Sequence, residues 1–506
     1  MPENQIPSET PRPAAPGRRR AAVPEQRAGA AALLGRMRDP VAWVGALLVL
    51  AVVGVVALVD DSTPVPGAAA PDRVQRHAST LVCPPGVKDA ETRWGRAASD
   101  AAGEPAEVTT PGGESPQQVA PGRVGEVSGD VLVSRGDAAV GAAATRWNGT
   151  SAAPCTEPAA ERWFTGVGAG AEHRSVLHLV NPDSGTAVVD VTVLGPTGPV
   201  DVPALRGVSV AAHDTLSFDL AEVAPNRDEL TLGVLVSRGR VGASVLDRYA
   251  DVEDNRTLST WLAPQSGPAS TSTLLGLPGA DARTLTVANP GQDEARVRLE
   301  VVTAESTFEP KDFTEVAVPP GTVESIDVSR VLGARTVNGA SGVVVVATRP
   351  VLAGLGSRTA RTWTRSVAPV AGERLGGVVP TGMRQLVLLG EGEVTVRSRT
   401  STGRDLPEQS VTLQGGHDTR VELARNAAWI EVVSASAGTG DPAGPEQATP
   451  GAEPGAESGA AEEPWTTGTP GVLAGALRGT GNDARILPLA PLLFDDLVPQ
   501  VRPALR

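Results

Sequence analysis

VLVSRG at residues 131–136 and VLVSRG at residues 234–239 are the same six letters. The first continues DAAVGAAATR to Arg146, the second VGASVLDR (241–248) to Arg248. A looser copy, VVVVATRPVLAGLGSR, fills residues 343–358. A fourth is split between IEVVSA at 430–435 and VLAGALRG at 472–479. An apolar run, a turn and a second apolar run predict a β-hairpin. From copy to copy the apolar positions persist, while Ser-Arg-Gly becomes Thr-Arg-Pro and finally a long insert. A catalytic signature would keep its polar groups, so the word marks the core of a repeated unit.

The surrounding sequence repeats in step. LHLVNP at 177–182 returns as LTVANP at 285–290, where Asn-Pro ends a strand and opens a turn. AVVDVTVL (187–194) is matched by RVRLEVV (296–302) and EVTVRSR (393–399). In RVRLEVV a period of two puts Val297, Leu299 and Val301 inward and Arg296, Arg298 and Glu300 outward. Each pass closes on a similar word: TWLAP (260–264), SVAP (366–369) and LPLAPLL (487–493). A period of about 105 residues with roughly seven short strands predicts an all-β chain of tandem immunoglobulin-like β-sandwiches. A closed β-propeller-like ring is the alternative, but propeller blades run about 40–50 residues. The expected units are 77–160, 161–265, 266–370 and 371–495. Within the last, 436–464 is acidic, low in complexity and free of large apolar residues. It falls at the hairpin tip, where insertion is tolerated, and is expected to be a disordered loop.

The N-terminal part has a different character. Residues 1–40 carry seven Arg against four acids and too little apolar surface to fold, so a disordered cytoplasmic tail is expected. VAWVGALLVLAVVGVVALV at 41–59 has no charge and is long enough to span roughly 30 Å of hydrocarbon. Arg36 and Arg38 on its N-terminal side orient it N-in, C-out. A single-pass membrane anchor is therefore expected, with a stalk at 60–76, the repeats outside the cytoplasm and a short tail at 496–506. Cys83 and Cys155 are the two cysteines. On the oxidising side of a membrane they are expected to form a disulfide, worth roughly 4 kcal/mol for a loop of about 70 residues.

Composition narrows the function. The net charge of −14 argues against a nucleic-acid partner, which needs a basic face. Aromatic residues are 3% of the chain, so base-stacking platforms and sugar clefts are poorly supplied. No GxSxG, HExxH, SxxK or Walker-type loop occurs. His213-Asp214-Thr215 and His417-Asp418-Thr419 look like a repeated His-Asp pair, yet the repeat sets them against Pro320-Gly321-Thr322, so they read as turns. His173 and His178 lack partners at metal-ligand spacing. GVGAGA at 166–171 reads as a flexible inter-domain loop, because no helix follows to make it a phosphate cradle. Asp251, Glu253 and Asp254 read as a solvated loop, since their spacing does not match a calcium loop. No catalytic residue, cofactor or metal ligand is assigned.

A basic tail, one anchor, CTEP at 155–158, WFTG at 163–166 and tandem L-x-L-x-N-P strands together resemble an uncharacterised actinobacterial family of membrane-anchored envelope proteins. The resemblance covers roughly residues 75–495 and is most specific over 155–182. It implies an extracytoplasmic place and no activity. The expectation is a non-enzymatic envelope scaffold or binding module, with an envelope protein or wall polymer as partner. An envelope hydrolase or transferase drawing acids from different repeats is the rival.

Overall fold

The computed structural model describes residues 72–97, 104–111, 115–227, 229–251, 255–277, 279–333, 339–434, 473–479 and 484–498. The expected tail, anchor, acidic insert and residues 252–254 of the DVEDN run lie outside these. Among the described residues, no helix is long and apolar enough to cross a membrane.

Alternation decides the sheets. In Ala295–Thr303, Val297, Leu299 and Val301 are buried while Arg296 and Arg298 are exposed. Burying each of the three is worth roughly 2 kcal/mol. The same pattern in Ala187–Gly195 buries Val189, Val191 and Val193.

Residues 161–262 show the plan of a unit. Its strands are Glu161–Val167, His173–Val180, Ala187–Gly195, Gly198–Val200, Thr215–Asp219, Leu230–Arg238, Gly242–Asp251 and Arg256–Leu262, with Val208–Val210 also on the third. Counted first to eighth, one sheet runs first–sixth–third–fourth and the other fifth–second–seventh–eighth. All pairings are antiparallel. The two sheets share one core, to which Phe164, Val189 and Leu232 come from one side and Leu177, Val245 and Leu262 from the other. The same order recurs in strands from Ala78–Val82 to Ala152–Pro154 and from Arg374–Val378 to Ile486–Pro488. It also recurs from Ala269–Leu275 to Trp363–Val367. We refer to these in chain order as units 1 to 4, with 161–262 as unit 2.

The repeated word is not a hairpin. Its first arm, Leu230–Arg238, pairs with the first and third strands; its second arm, Gly242–Asp251, pairs with the second and eighth in the opposite sheet. Units 1 and 4 do the same. In unit 3 the expected tip at Arg349-Pro350 is no turn at all. Ala340–Arg358 is one strand whose first half lies in one sheet and whose second half lies in the other. Each arm packs part of its length on the same core from opposite sides, Val234 and Val245 in unit 2, while Leu235 is exposed, a pattern that a hairpin and a sheet-crossing arch share in sequence. Each unit is thus a two-sheet antiparallel sandwich whose sixth and seventh strands lie in opposite sheets and whose seventh and eighth are neighbours in one.

The units also meet in a cycle. Trp261 Nε1 of unit 2 donates to Pro85 O of unit 1 at 3.1 Å. Trp363 Nε1 of unit 3 donates to Asp247 of unit 2 at 2.6 Å. Leu275 of unit 3 packs with Val387 and Ala476 of unit 4. Trp429 of unit 4 lies against Gly95 of unit 1, where a Cβ would meet its ring at 2.9 Å. Asp72–Gln75 and Asp495–Val498, placed by sequence in the stalk and largely in the tail, pair as strands instead. The eighth strands, Ala152–Pro154, Arg256–Leu262, Trp363–Val367 and Ile486–Pro488, touch in turn about a common axis. The period argued correctly against propeller blades, but two-sheet units close a ring just the same.

Candidate functional site

The closing word of each repeat leads to the axis. Where the eighth strands end, Pro154-Cys155, Ala263-Pro264, Val367-Ala368-Pro369 and Pro488 to Pro491 converge on a cavity of about 300 Å³. Each segment carries Ala, Pro or Val, so the wall is apolar and offers few free backbone donors. Leu81, Ala143 and Leu489 complete it. Cys155 reaches this wall in a disulfide with Cys83, which ties the end of the first strand to the end of the eighth and so closes unit 1.

Three charged side chains interrupt the apolar wall: Arg76, Glu157 and Arg162. Arg76 grips Glu157 in a two-pronged pair, Nη1 to Oε1 at 2.5 Å and Nη2 to Oε2 at 2.9 Å. Arg162 makes only long bonds to backbone carbonyls of Glu161 and Glu157, both at 3.4 Å. Burial pushes the Arg162 guanidinium below its ordinary range, and Glu157 offsets part of that. The cavity is thus an apolar chamber with one guanidinium that, among the described residues, lacks a carboxylate of its own.

A second polar cluster lies between units 2 and 3, and sequence reasoning missed it. Asp247, fully buried, accepts from Ser175 Oγ at 2.5 Å and Trp363 Nε1 at 2.6 Å, and bonds His173 Nε2 at 2.9 Å. Burial opposes the Asp247 charge, but His173, Arg365 and Ser175 outweigh it and hold the carboxyl below its ordinary range. Burial likewise opposes the His173 imidazolium, as does Arg365, yet Asp247 and Glu229 raise its pKa. Ser175 and His173 both address the same carboxylate, so serine and imidazole are not in the relay order of a nucleophilic triad. The cluster is a polar weld. His173 and Ser175 come from the second strand of unit 2, Asp247 from its seventh and Trp363 from the eighth strand of unit 3, and only DR at 247–248 in the repeated word hinted at it.

The sequence candidates fall elsewhere. His213 sits in a turn at φ +56°, where Gly321 stands at φ +72° in unit 3 and Gly416 at φ +77° in unit 4. The N–H groups of Asp214, Thr322 and His417 each bond the carbonyl three residues back. The two His-Asp-Thr words are therefore one residue out of register, and the turn reading needs that correction. Asp418 also does more than turn a corner: it is buried, pairs with Arg420 Nε at 2.7 Å, and its N–H reaches Thr303 O of unit 3. GVGAGA is not a loop between units but a tight strand-end turn inside unit 2. Its Gly166 has φ +69°, and a Cβ there would overlap the Arg365 guanidinium of unit 3. His178 bonds Ser217 at 2.8 Å, and burial lowers its pKa. Asn181 and Asn289 hold matching turns through buried amides, each donating four residues ahead at 2.7 Å.

A third feature is a groove of about 510 Å³ at the junction of units 4 and 1, walled by Arg93, Arg384, Arg404, Arg425 and the hydroxyls of 400–402. Among the described residues neither cavity assembles paired acids: Glu157 is the one carboxylate lining either. Glu300, whose pKa is raised by burial and then by Glu309, lines neither. Among the described residues no group of three or more His, Cys, Asp or Glu is placed to hold a metal ion.

No curated protein matches the chain. A family model does, over residues 134–424, from the sixth strand of unit 1 to just past the fifth strand of unit 4. That is more than half of the 506 residues, and it contains the unit 2–3 weld and the register of turns just described. The chain belongs to DUF5719, a family of unknown function.

Proposed function

We propose that this is a non-catalytic binding module of the cell envelope, anchored through 41–59 with its ring of units on the outer side. On this reading the central cavity is the binding site, and its ligand is a small apolar chain ending in an anionic group. The observation that carries it is the composition of that cavity: all four units supply apolar wall, and Arg162 supplies a desolvated cation whose carboxylate partner is missing. Apolar enclosure with a few placed polar groups is the ordinary make-up of a small-ligand site. The apolar 41–59 run and the envelope-family resemblance support the placement.

Titration calorimetry of the purified full chain with decanoate tests the site. Saturable binding is expected, weakened about tenfold by Arg162→Met and lost in Ala490→Trp, which fills the chamber. Absence of saturable binding, or equal binding by both variants, would overturn the cavity reading.

A further inference from the structure

The groove between units 4 and 1 goes beyond that reading and does not depend on it. Four guanidiniums reach one concavity: Arg93 from the second strand of unit 1, Arg384 from the second strand of unit 4, Arg404 from the loop after its third strand, and Arg425 from the loop after its fifth. The hydroxyls of Thr400 and Thr402 lie beside them, 3.0 Å apart. Among the described residues no carboxylate lines the groove. Arg93 is partly satisfied, with Glu91 at 3.3 Å and the Trp147 ring at 5.5 Å. The side chains of Arg384, Arg404 and Arg425 make no hydrogen bond or ion pair among the described residues. The nearby Asp405 acts instead on the buried Arg399.

This arrangement is unusual for a chain of net charge −14. Elsewhere on the surface many arginines meet acids, as Arg298 does Glu309 and Arg397 does Glu408, and others such as Arg135 and Arg238 stand singly, not gathered in one concavity. Three guanidiniums with free forks, set in one concavity without a counter-charge, repel one another, and an anion of high charge relieves that repulsion. Forked N–H donors also match tetrahedral oxyanions in shape, and hydroxyls add neutral donors. We infer that this groove binds a phosphate-class oxyanion, carried either on a free phosphate compound or on a phospholipid headgroup.

The test is titration of the full chain in neutral detergent with pyrophosphate, and separately with short-chain phosphatidylglycerol below its micellar concentration. Saturable binding of at least one probe is expected, weakened tenfold or more by Arg384→Met/Arg425→Met and weakened by added salt. Pyrophosphate alone would assign a free phosphate compound, and the lipid alone a headgroup. The two arginines have no side-chain partners to lose among the described residues, so thermal melting should hold. Arg296→Met/Arg298→Met, in unit 3 and outside the groove lining, should leave binding unchanged. Neither probe binding, or equal loss in the control pair, would overturn the inference.

Discussion

Asp247 is where a single residue does most for this molecule. Its carboxylate is sealed from water and joined to Ser175, His173 and Trp363, so it connects unit 2 to unit 3 through charge as well as packing. The pair it makes with His173 should be visible in the pH dependence of stability. The His173 pKa is raised above its ordinary 6.5, so its contribution is complete below that value and fades as pH rises through the higher folded value. The Asp247 pKa is lowered from 3.8, so its contribution is present above that value and fades only as pH falls through the lower folded one. Between those limits the weld is intact. Thermal melts from pH 6 to 9 should show wild type losing stability as His173 deprotonates, by about 1.4 kcal/mol for every tenfold by which folding tightens its hold on the proton. His173→Gln should remove that alkaline slope, and an equal slope in both proteins would contradict the assignment.

At the scale of the element, the sixth and seventh strands define each unit. They cross from sheet to sheet, and the link between them ranges from no break in Ala340–Arg358 to the 435–472 segment of unit 4. The strands on either side of that segment, Trp429–Ser434 and Ala474–Gly479, keep their full ladders. Replacing 436–464 by the three residues Gly239, Arg240 and Val241 that serve unit 2 should therefore leave the fold intact. The expected change in melting temperature is within about 3 °C, since a shorter loop costs little closure entropy. A large loss of folded protein in circular dichroism would show that the segment holds the unit together. The alternation in RVRLEVV and the Asn-Pro turns could be read from the letters, because a half-buried strand writes its exposure pattern directly into sequence. Which sheet each arm joined could not, because an arch and a hairpin bury the same residues.

At the scale of the whole molecule, the four sandwich units of the described residues meet in a closed cycle, and the closure is carried by particular contacts. Trp429 of unit 4 needs Gly95 of unit 1, and the core of unit 4 runs on into Val124, Ala143, Trp147 and Ala152 of unit 1. First and last units should therefore melt together. Trp429→Ala is expected to cost about 3–5 kcal/mol and to lower the melting of both. Calorimetry would show one shifted transition; a transition of unit 1 that stays put would refute the shared core.

The sequence by itself determined the all-β class, the repeat length, the inward and outward faces of the strands and the pairing of two cysteines. These follow from local periodicity, turn chemistry and count, which act over a few residues or leave a single choice. Only the tertiary structure decided that the repeated word crosses between sheets, that four Ala-Pro endings meet around one cavity, and that Asp247, His173 and Trp363 form one buried cluster. Those outcomes depend on residues tens to hundreds of positions apart, and no local pattern carries the register that brings them into contact. VLVSRG thus brings Leu132 to the core of unit 1 and Val234 to that of unit 2, though Leu235 of the same word is exposed, while the crossing of the repeated stretch between both faces of that core is a property of the folded chain.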